Sequence, residues 1–242
     1  MPYEPRTYRE HVDPAGLVRF EVVHAETDLL VAAERDLAEE ARRAVKEVRR
    51  ELDAYVAAHP RFAESLAPVE VEPNAPAVVR EMAEAARRTG VGPMAAVAGA
   101  VAEAVARALA PLSRSVIVEN GGDAYLITRD DRTVRVDAGD SPLSGRLALR
   151  LKPAPDGVAV CTSSAKVGPS LSLGSAHAAT VVAGSGALAD AAASMLGNLV
   201  HDASDAAGAV ERVVAVPGVI GALVIMGETL AAAGEIELVP VA

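Results

Sequence analysis

Apolar and polar residues alternate along Val18–Val23 (VRFEVV), and an apolar run follows at Leu29–Ala33 (LLVAA). This predicts two strands joined by a turn at His24–Asp28, where turn chemistry accounts for Glu26, Thr27 and Asp28. From Asp36 to Ala58 the period changes: Leu37, Ala41, Ala44, Val45, Val48, Leu52 and Tyr55 recur at helical spacing. Interleaved Glu and Arg fill the other positions and read as a solvated face with i,i+4 pairs, because the acids break up any basic stripe. His59-Pro60 closes this helix, and a Pro-rich connector runs to Pro76. Pro76 begins a helix reaching Arg88 and ended by Thr89-Gly90. Gly92-Pro93 starts an Ala-rich helix to about Leu109, stopped by Pro111. Its small residues (Ala95, Ala98, Gly99, Ala102, Ala106) let another backbone come close, which places it in the interior.

Strand patterns then follow one another: Ser115–Val118, Ala124–Thr128, Thr133–Val136, Arg146–Leu151, Gly157–Cys161 and Thr180–Val182, with Asp130-Asp131-Arg132 as a hairpin turn. A helix begins near residue 187 and a second covers Asp205–Val214. Pro217-Gly218 turns the chain into a buried strand, Val219–Met226, and a final strand, Glu235–Val239, completes the sheet. Strands in runs, rather than in strict alternation with helices, predict an α+β fold. The expectation is mixed or antiparallel sheets packed against helices, in two similar α/β halves, because helix-then-strands occurs twice (36–136 and 187–239). Residues 1–242 are expected to form one domain, with 1–75 giving the hairpin and long helix and 76–242 a ligand-binding core.

Composition sharpens this picture. With 51% hydrophobic but only 2% aromatic residues, the core must be built from Ala, Val and Leu at short backbone distances. Few aromatics leave little to stack on bases, and a net charge of −10 repels a phosphate backbone, so no nucleic-acid partner is expected. A small anionic ligand feels only its local pocket and is not barred. Cys161 is the sole cysteine, which rules out an internal disulfide, and neither CxxC nor HExxH occurs. The start, MPYEPRTYREH, has no apolar core of a signal peptide behind it. The most apolar window, Val91–Ala110, carries Glu103 and Arg107 and is mostly Ala, so no membrane span is expected. A cytoplasmic protein follows as the expectation, with homo-oligomerisation left open.

The candidate chemistry gathers in Asp156–Gly197. Thr162, Ser163, Ser164, Gly168, Ser170 and Ser172 form a hydroxyl- and glycine-rich loop, which donates hydrogen bonds without adding charge and so suits a phosphate-bearing ligand. Asp190 and Ser194 stand one helical turn apart, spaced to share a hard divalent cation; an N-terminal helix acid beside a core serine is the plainer alternative. Glu119-Asn120-Gly121-Gly122-Asp123 lies between two strands. Its glycines let a ligand approach the main chain, and Asn120 and Asp123 can hydrogen-bond an adenine, ribose or flavin edge, although a β-turn uses the same residues. Gly184–Ala189 reads GxGxxA, a dinucleotide fingerprint, with Asp205 as the later acid. That would make an NAD(P)-binding oxidoreductase, yet a turn and helix N-cap explain it more simply where strands run consecutively. Cys161 ends an apolar strand and reads as a core residue rather than a nucleophile, and His177 as a core or edge histidine.

Several of these segments resemble one family. SVIVENGGDAYL, the preceding GPMAAVAGAVAEAV, the loop CTSS, the helix LADAAASMLG and the late VPGVIGALVIMG resemble, in that order, segments of the ApbE-like flavin transferases (FAD:protein FMN transferases). The order holds over roughly residues 76–239, about two-thirds of the chain. The sequence is still more similar to a branch of that superfamily to which no activity is attached. The resemblance implies an ApbE-like fold and a flavin ligand, FAD or FMN. It would be held by Glu119, Asn120, Gly121, Gly122, Asp123, Thr162, Ser163, Ser164, Gly168 and Ser170, with Mg²⁺ at Asp190 and Ser194, and a transferase activity. Two departures matter. The lysine of the family's helix is Gly99 here, and its His-bearing hairpin is shortened to Gly168–Gly174, with Pro169 and Ser170 in the His region. Losing a cation and a general base favours the alternative of a flavin- or metabolite-binding module without turnover.

Overall fold

The computed structural model describes residues 14–165 and 173–241. In chain order the strands are β1 Val18–His24, β2 Thr27–Ala33, β3 Val116–Asn120, β4 Asp123–Thr128, β5 Arg132–Arg135, β6 Leu147–Leu151, β7 Ala154–Ser163, β8 Ala178–Ala183, β9 Val219–Met226, β10 Thr229–Gly234 and β11 Glu237–Pro240. The helices are α1 Ala38–Ala58, α2 Pro60–Glu64, α3 Ala77–Thr89, α4 Val97–Leu109, α5 Gly186–Leu199 and α6 Ala206–Val214, with a 3-10 turn at Pro93–Ala96 leading into α4. Eight strands make one sheet in the order β1-β2-β3-β4-β7-β8-β9-β10, and β11-β6-β5 make a second. Every pairing among the described residues is antiparallel. The α+β expectation holds.

Side-chain alternation along the strands sorts the core into layers. Val116, Val118, Tyr125, Ala159, Cys161, Val181 and Val224 pack with residues of α1, α4, α5 and α6. The intervening Ile117, Leu126, Val160, Val182, Leu223 and Ile225 pack with Val134, Leu149 and Leu151 of the small sheet. The large sheet is therefore buried on both faces, and each fully buried Val, Leu or Ile there contributes about 1.5–3 kcal/mol. A third cluster joins α1, α2, α3, α4 and α5 around Phe62, Val79 and Met82.

Three expectations change. Asp130–Arg132 is a crossover rather than a hairpin turn, because β4 pairs with β7 while β5 pairs with β6. Buried Arg132 fixes the change of sheet by donating to the Ala15 carbonyl at 2.9 Å. The last strand extends the small sheet on β6 instead of closing the large one. Its place at the edge of the large sheet is taken by β10, whose TLAAAG sequence carries little β preference and is held by pairing with β9. The Ala-rich helix also starts later, after the 3-10 turn. Among the described residues no single helix is long and apolar enough to cross a membrane, and α3 with α4 meets that length only across a 105° bend.

Candidate functional site

The β3–β4 turn, the end of β7 and the middle of α5 converge at one end of the large sheet. Asn120 pairs with Asp123, and the two residues between them, Gly121 and Gly122, have φ of 68° and 105°. A two-residue hairpin with both central φ positive selects glycine for lack of a Cβ, so Gly-Gly is accounted for by the turn itself. Glu119 Oε1 accepts the Gly122 N–H at 2.6 Å. Asp123 Oδ1 accepts the Thr162 N–H at 3.0 Å and ties the turn to β7. The two glycine- and hydroxyl-bearing segments expected to meet, 119–123 and 162–164, are thus neighbours. Gly168 and Ser170 lie outside the described residues.

Alternation divides these residues between the faces of the sheet. Asn120 pairs with Asp123, in step with Val118 and Tyr125, and Ser163 pairs with Ala179; all look toward the helices. Glu119 pairs with Ala124 and Thr162 with Thr180, and these look toward the small sheet. There Thr162 Oγ1 lies 2.9 Å from Thr180 Oγ1, and Ser164 Oγ donates to the His177 carbonyl at 2.6 Å. His177 Nδ1 accepts the Gly227 N–H at 3.2 Å, which places the ring proton on Nε2, 3.3 Å from Asp140 Oδ1. Both ring nitrogens are engaged, so His177 is an edge histidine and not a base facing the helices.

On the helix side, α4 crosses α5 at Gly99 and Gly186. Half-buried Asp190 accepts the Gly99 N–H at 2.9 Å through Oδ2. Buried Glu103 accepts the Gly186 N–H at 2.6 Å through Oε2. Each helix thus presents a glycine whose N–H is bound by an acid one turn along its partner. The spacing continues: Glu103 is followed four residues on by Arg107, and Asp190 by Ser194. Glu103 Oε1 takes Arg107 Nε at 2.7 Å, and Arg107 Nη2 donates to the Tyr125 hydroxyl at 2.6 Å. Sequence reasoning passed over Glu103. The signal was present as the same Gly-xxx-acid spacing in two helices. Asn120 adds a further tie, donating from Nδ2 to the Ala98 carbonyl at 3.1 Å.

Burial pushes the Asp190 carboxyl up to about 7, against the lowering effect of the Gly99 and Ala98 N–H groups. Burial first, and the neighbouring Asp190 second, push Asp123 well above its ordinary value, while the Thr162 N–H opposes them. Cys161 is fully buried with Sγ 3.8 Å from the Gly186 carbonyl. Burial, followed by Asp123 and Asp190, pushes its thiol well up, so it stays protonated and inert. Ser163 is 5% exposed, and its Oγ has no hydrogen-bond partner among the described residues. No group of three or more carboxylate, imidazole or thiol side chains arranged to hold a metal occurs among the described residues. A cation at Asp190 would therefore complete its shell from hydroxyls, main chain, water or ligand oxygens, as Mg²⁺ commonly does.

The dinucleotide reading of Gly184–Ala189 is overturned. The start of α5, where a pyrophosphate would sit, already gives its Gly186 N–H to the Glu103 carboxylate and its Leu188 N–H to Ser185 Oγ. An incoming anion would meet a buried acid, and the strands on both sides of β8 are antiparallel to it. A separate cavity of about 310 Å³ opens between α3 and the start of α5, lined by Arg80, Glu81, Glu84, Arg88, Ser185 and Leu188. It is distinct from the carboxylate site.

A family model described as AbpE bacteria matches residues 9–218. A UPF0280 protein of Methanocella arvoryzae is 42% identical over 190 residues, covering 78% of this chain and 77% of the relative. A UPF0280 protein of Methanopyrus kandleri is 45% identical over 194 residues, covering 79% and 77%. Among solved structures, the Pseudomonas stutzeri flavinyl transferase ApbE in its apo form aligns with a TM-score of 0.57 at 15% identity, over 90% of this chain and 93% of that one. The flavin transferase ApbE from Vibrio cholerae aligns with a TM-score of 0.57 at 11% identity, over 90% and 96%. These two share the fold.

Proposed function

Because the chain belongs to the AbpE bacteria family, within the ApbE-like superfamily, we propose that it binds a phosphate-bearing flavin or nucleotide, FAD or FMN by preference. The ligand lies at the helix-facing end of the large sheet, with Mg²⁺ on Asp190 and Ser194. The observation that carries this reading is the stitch between Asp123 and the Thr162 N–H, which brings the 119–123 turn and the 162–164 segment together beside Asp190. Asn120 and Ser163 stand on the helix side, while Glu119 and Thr162 support the turn from the other face.

The donor set fits the cation: a half-buried carboxylate and, one turn on, a half-buried hydroxyl, both hard oxygen ligands. Bound Mg²⁺ would neutralise ligand phosphate charge and polarise a P–O bond. The chain's own residues would fix the ligand: the main chain at Gly121 and Gly122, bare of side chains, would let it come close, Asn120 is held by the Ala98 carbonyl, and Ser163 offers a hydroxyl.

As an enzyme the chain would be a transferase that moves the FMN part of FAD onto an acceptor hydroxyl, which loses its proton as the new phosphoester bond forms, and releases AMP. The second reading, ligand binding without turnover, is favoured by two observations. Gly99, which stands where the transferases carry lysine, has no room for a side chain, and His177 is engaged at both nitrogens on the opposite face. Incubation with FAD and Mg²⁺ separates the two. AMP release supports transfer. Flavin that co-purifies or quenches on binding without AMP release supports the binding module. Failure to bind FAD or FMN at millimolar concentration rejects both.

A further inference from the structure

We propose that the cation site extends from α5 onto the sheet, with Asp123 and the Ser163 hydroxyl joining Asp190 around one hard divalent cation. This rests on the reading of Asp190 as a cation ligand and adds two residues to it.

The helix crossing supplies an internal comparison. Glu103 and Asp190 do the same structural task, each accepting a glycine N–H from the opposite helix. Glu103 is then neutralised by its own helix, through Arg107 at 2.7 Å. Asp190 has Ser194 in the place of that arginine, and it forms no ion pair with a described Lys, Arg or His. Among the described residues, then, a counter-charge is supplied on one side of this crossing only. A carboxylate in such surroundings either keeps its proton or takes a cation in its place.

Asp123 points the same way. It is 7% exposed, lies on the helix-facing side of β4, and is near enough to Asp190 to feel its charge. One oxygen, Oδ1, is spent on the Thr162 N–H. It too forms no ion pair with a described Lys, Arg or His. Neither acid is thus neutralised by a cationic side chain among the described residues.

Ser163 is the independent observation. Its hydroxyl is buried, without a partner among the described residues, and on the helix-facing side of β7. Cys161 lies under Gly186. From there Ser163 is two strand residues along, about 6.6 Å, and Asp190 is one helical turn along, about 6 Å. Leu173 N–H binds Asn198 Oδ1 and Ser175 N–H binds the Val200 carbonyl, so α5 runs toward the same end of the sheet as β7. Ser163 and Asp190 therefore stand at one level. A buried hydroxyl left unbonded costs stability unless something takes it up, and a cation held by two carboxylates does so.

All the groups are oxygens, which selects Mg²⁺ or Mn²⁺ over thiolate-loving metals. The test uses the purified full-length chain without flavin and Mn²⁺ as the probe, followed by water-proton relaxation and by calorimetry. Wild type should bind one Mn²⁺. Asp190→Asn and Asp123→Asn should each weaken binding at least about tenfold, and Ser163→Ala a few-fold, with Glu211→Gln on α6 unchanged. Asparagine at 123 keeps an oxygen for the Thr162 N–H, so the variant should stay folded, which far-UV circular dichroism checks. Ser163→Ala removes no hydrogen bond among described residues and provides a second arm. If Asp190→Asn loses Mn²⁺ while Asp123→Asn and Ser163→Ala bind as wild type does, the extension is wrong and the Asp190 reading stands. If wild type binds no Mn²⁺ at millimolar concentration, both fail.

Discussion

Gly99 and Gly186 meet backbone to backbone where α4 crosses α5: a Cβ on either would lie 2.2 Å from the carbonyl oxygen of the other. Added atoms would press on helix backbone, which cannot swing aside as a long side chain does. Gly99→Ala and Gly186→Ala should each destabilise the protein by about 3 kcal/mol, read as the loss in urea midpoint. Gly99→Lys, which restores the residue type of the transferases, should fail to fold rather than gain activity. A folded Gly99→Lys variant of wild-type stability would contradict the crossing.

Glu103 holds the start of α5 and the Arg107 guanidinium together. Replacing it by Ala leaves the Gly186 N–H buried without an acceptor and Arg107 without its acid. A cost of about 3 kcal/mol is expected. Arg107 is half exposed, so Arg107→Ala alone should cost less, about 1 kcal/mol. A double-mutant cycle in chemical denaturation should give a clearly non-additive pair; strict additivity would remove Glu103 from this role.

Stability in chelator should fall as pH rises from 3.8 to about 7. Below the ordinary carboxyl value of 3.8 both folded and unfolded chains hold the Asp190 proton, and the group is silent. Between 3.8 and about 7 the unfolded chain has released a proton that the folded chain retains, so each pH step upward favours unfolding. Above about 7 the loss levels off. Asp123 is displaced in the same direction and adds to the slope. Urea midpoints measured at about pH 5 and pH 8 should differ in wild type and differ less in Asp190→Asn. An unchanged difference would show that Asp190 is not displaced.

Cys161 should react with a thiol reagent only after unfolding, since it is fully buried and its thiol is held protonated. Cys161→Ser should leave FAD and Mn²⁺ binding intact at a modest cost in stability. Rapid labelling of the native protein would reopen the nucleophile reading.

Much of the fold is legible in the sequence where the pattern is local. The β1–β2 hairpin follows from VRFEVV and LLVAA, and α1 from apolar residues at helical spacing. The buried Ala/Gly helix follows from small residues that could only pay their way by close packing, which Gly99 and Gly186 display. What the sequence hides is long-range. Nothing near Arg132 says that the chain leaves one sheet for another, and TLAAAG becomes a strand only because β9 offers it an edge. In the candidate site, the nearness of 119–123 to 162–164 was readable from their shared loop chemistry. The Glu103–Gly186 and Gly99–Asp190 bonds, spanning 83 and 91 residues, were not.

Consecutive residues on a strand look in opposite directions, and this decides how a scan through the β3–β4 turn will read. Substitutions at Asn120 and Asp123 should register in ligand and metal affinity, whereas those at Glu119 and Thr162 should register in melting temperature. The profile would rise and fall from one position to the next instead of tapering from a centre, as befits a turn that serves a cleft on one side and a packed sheet on the other.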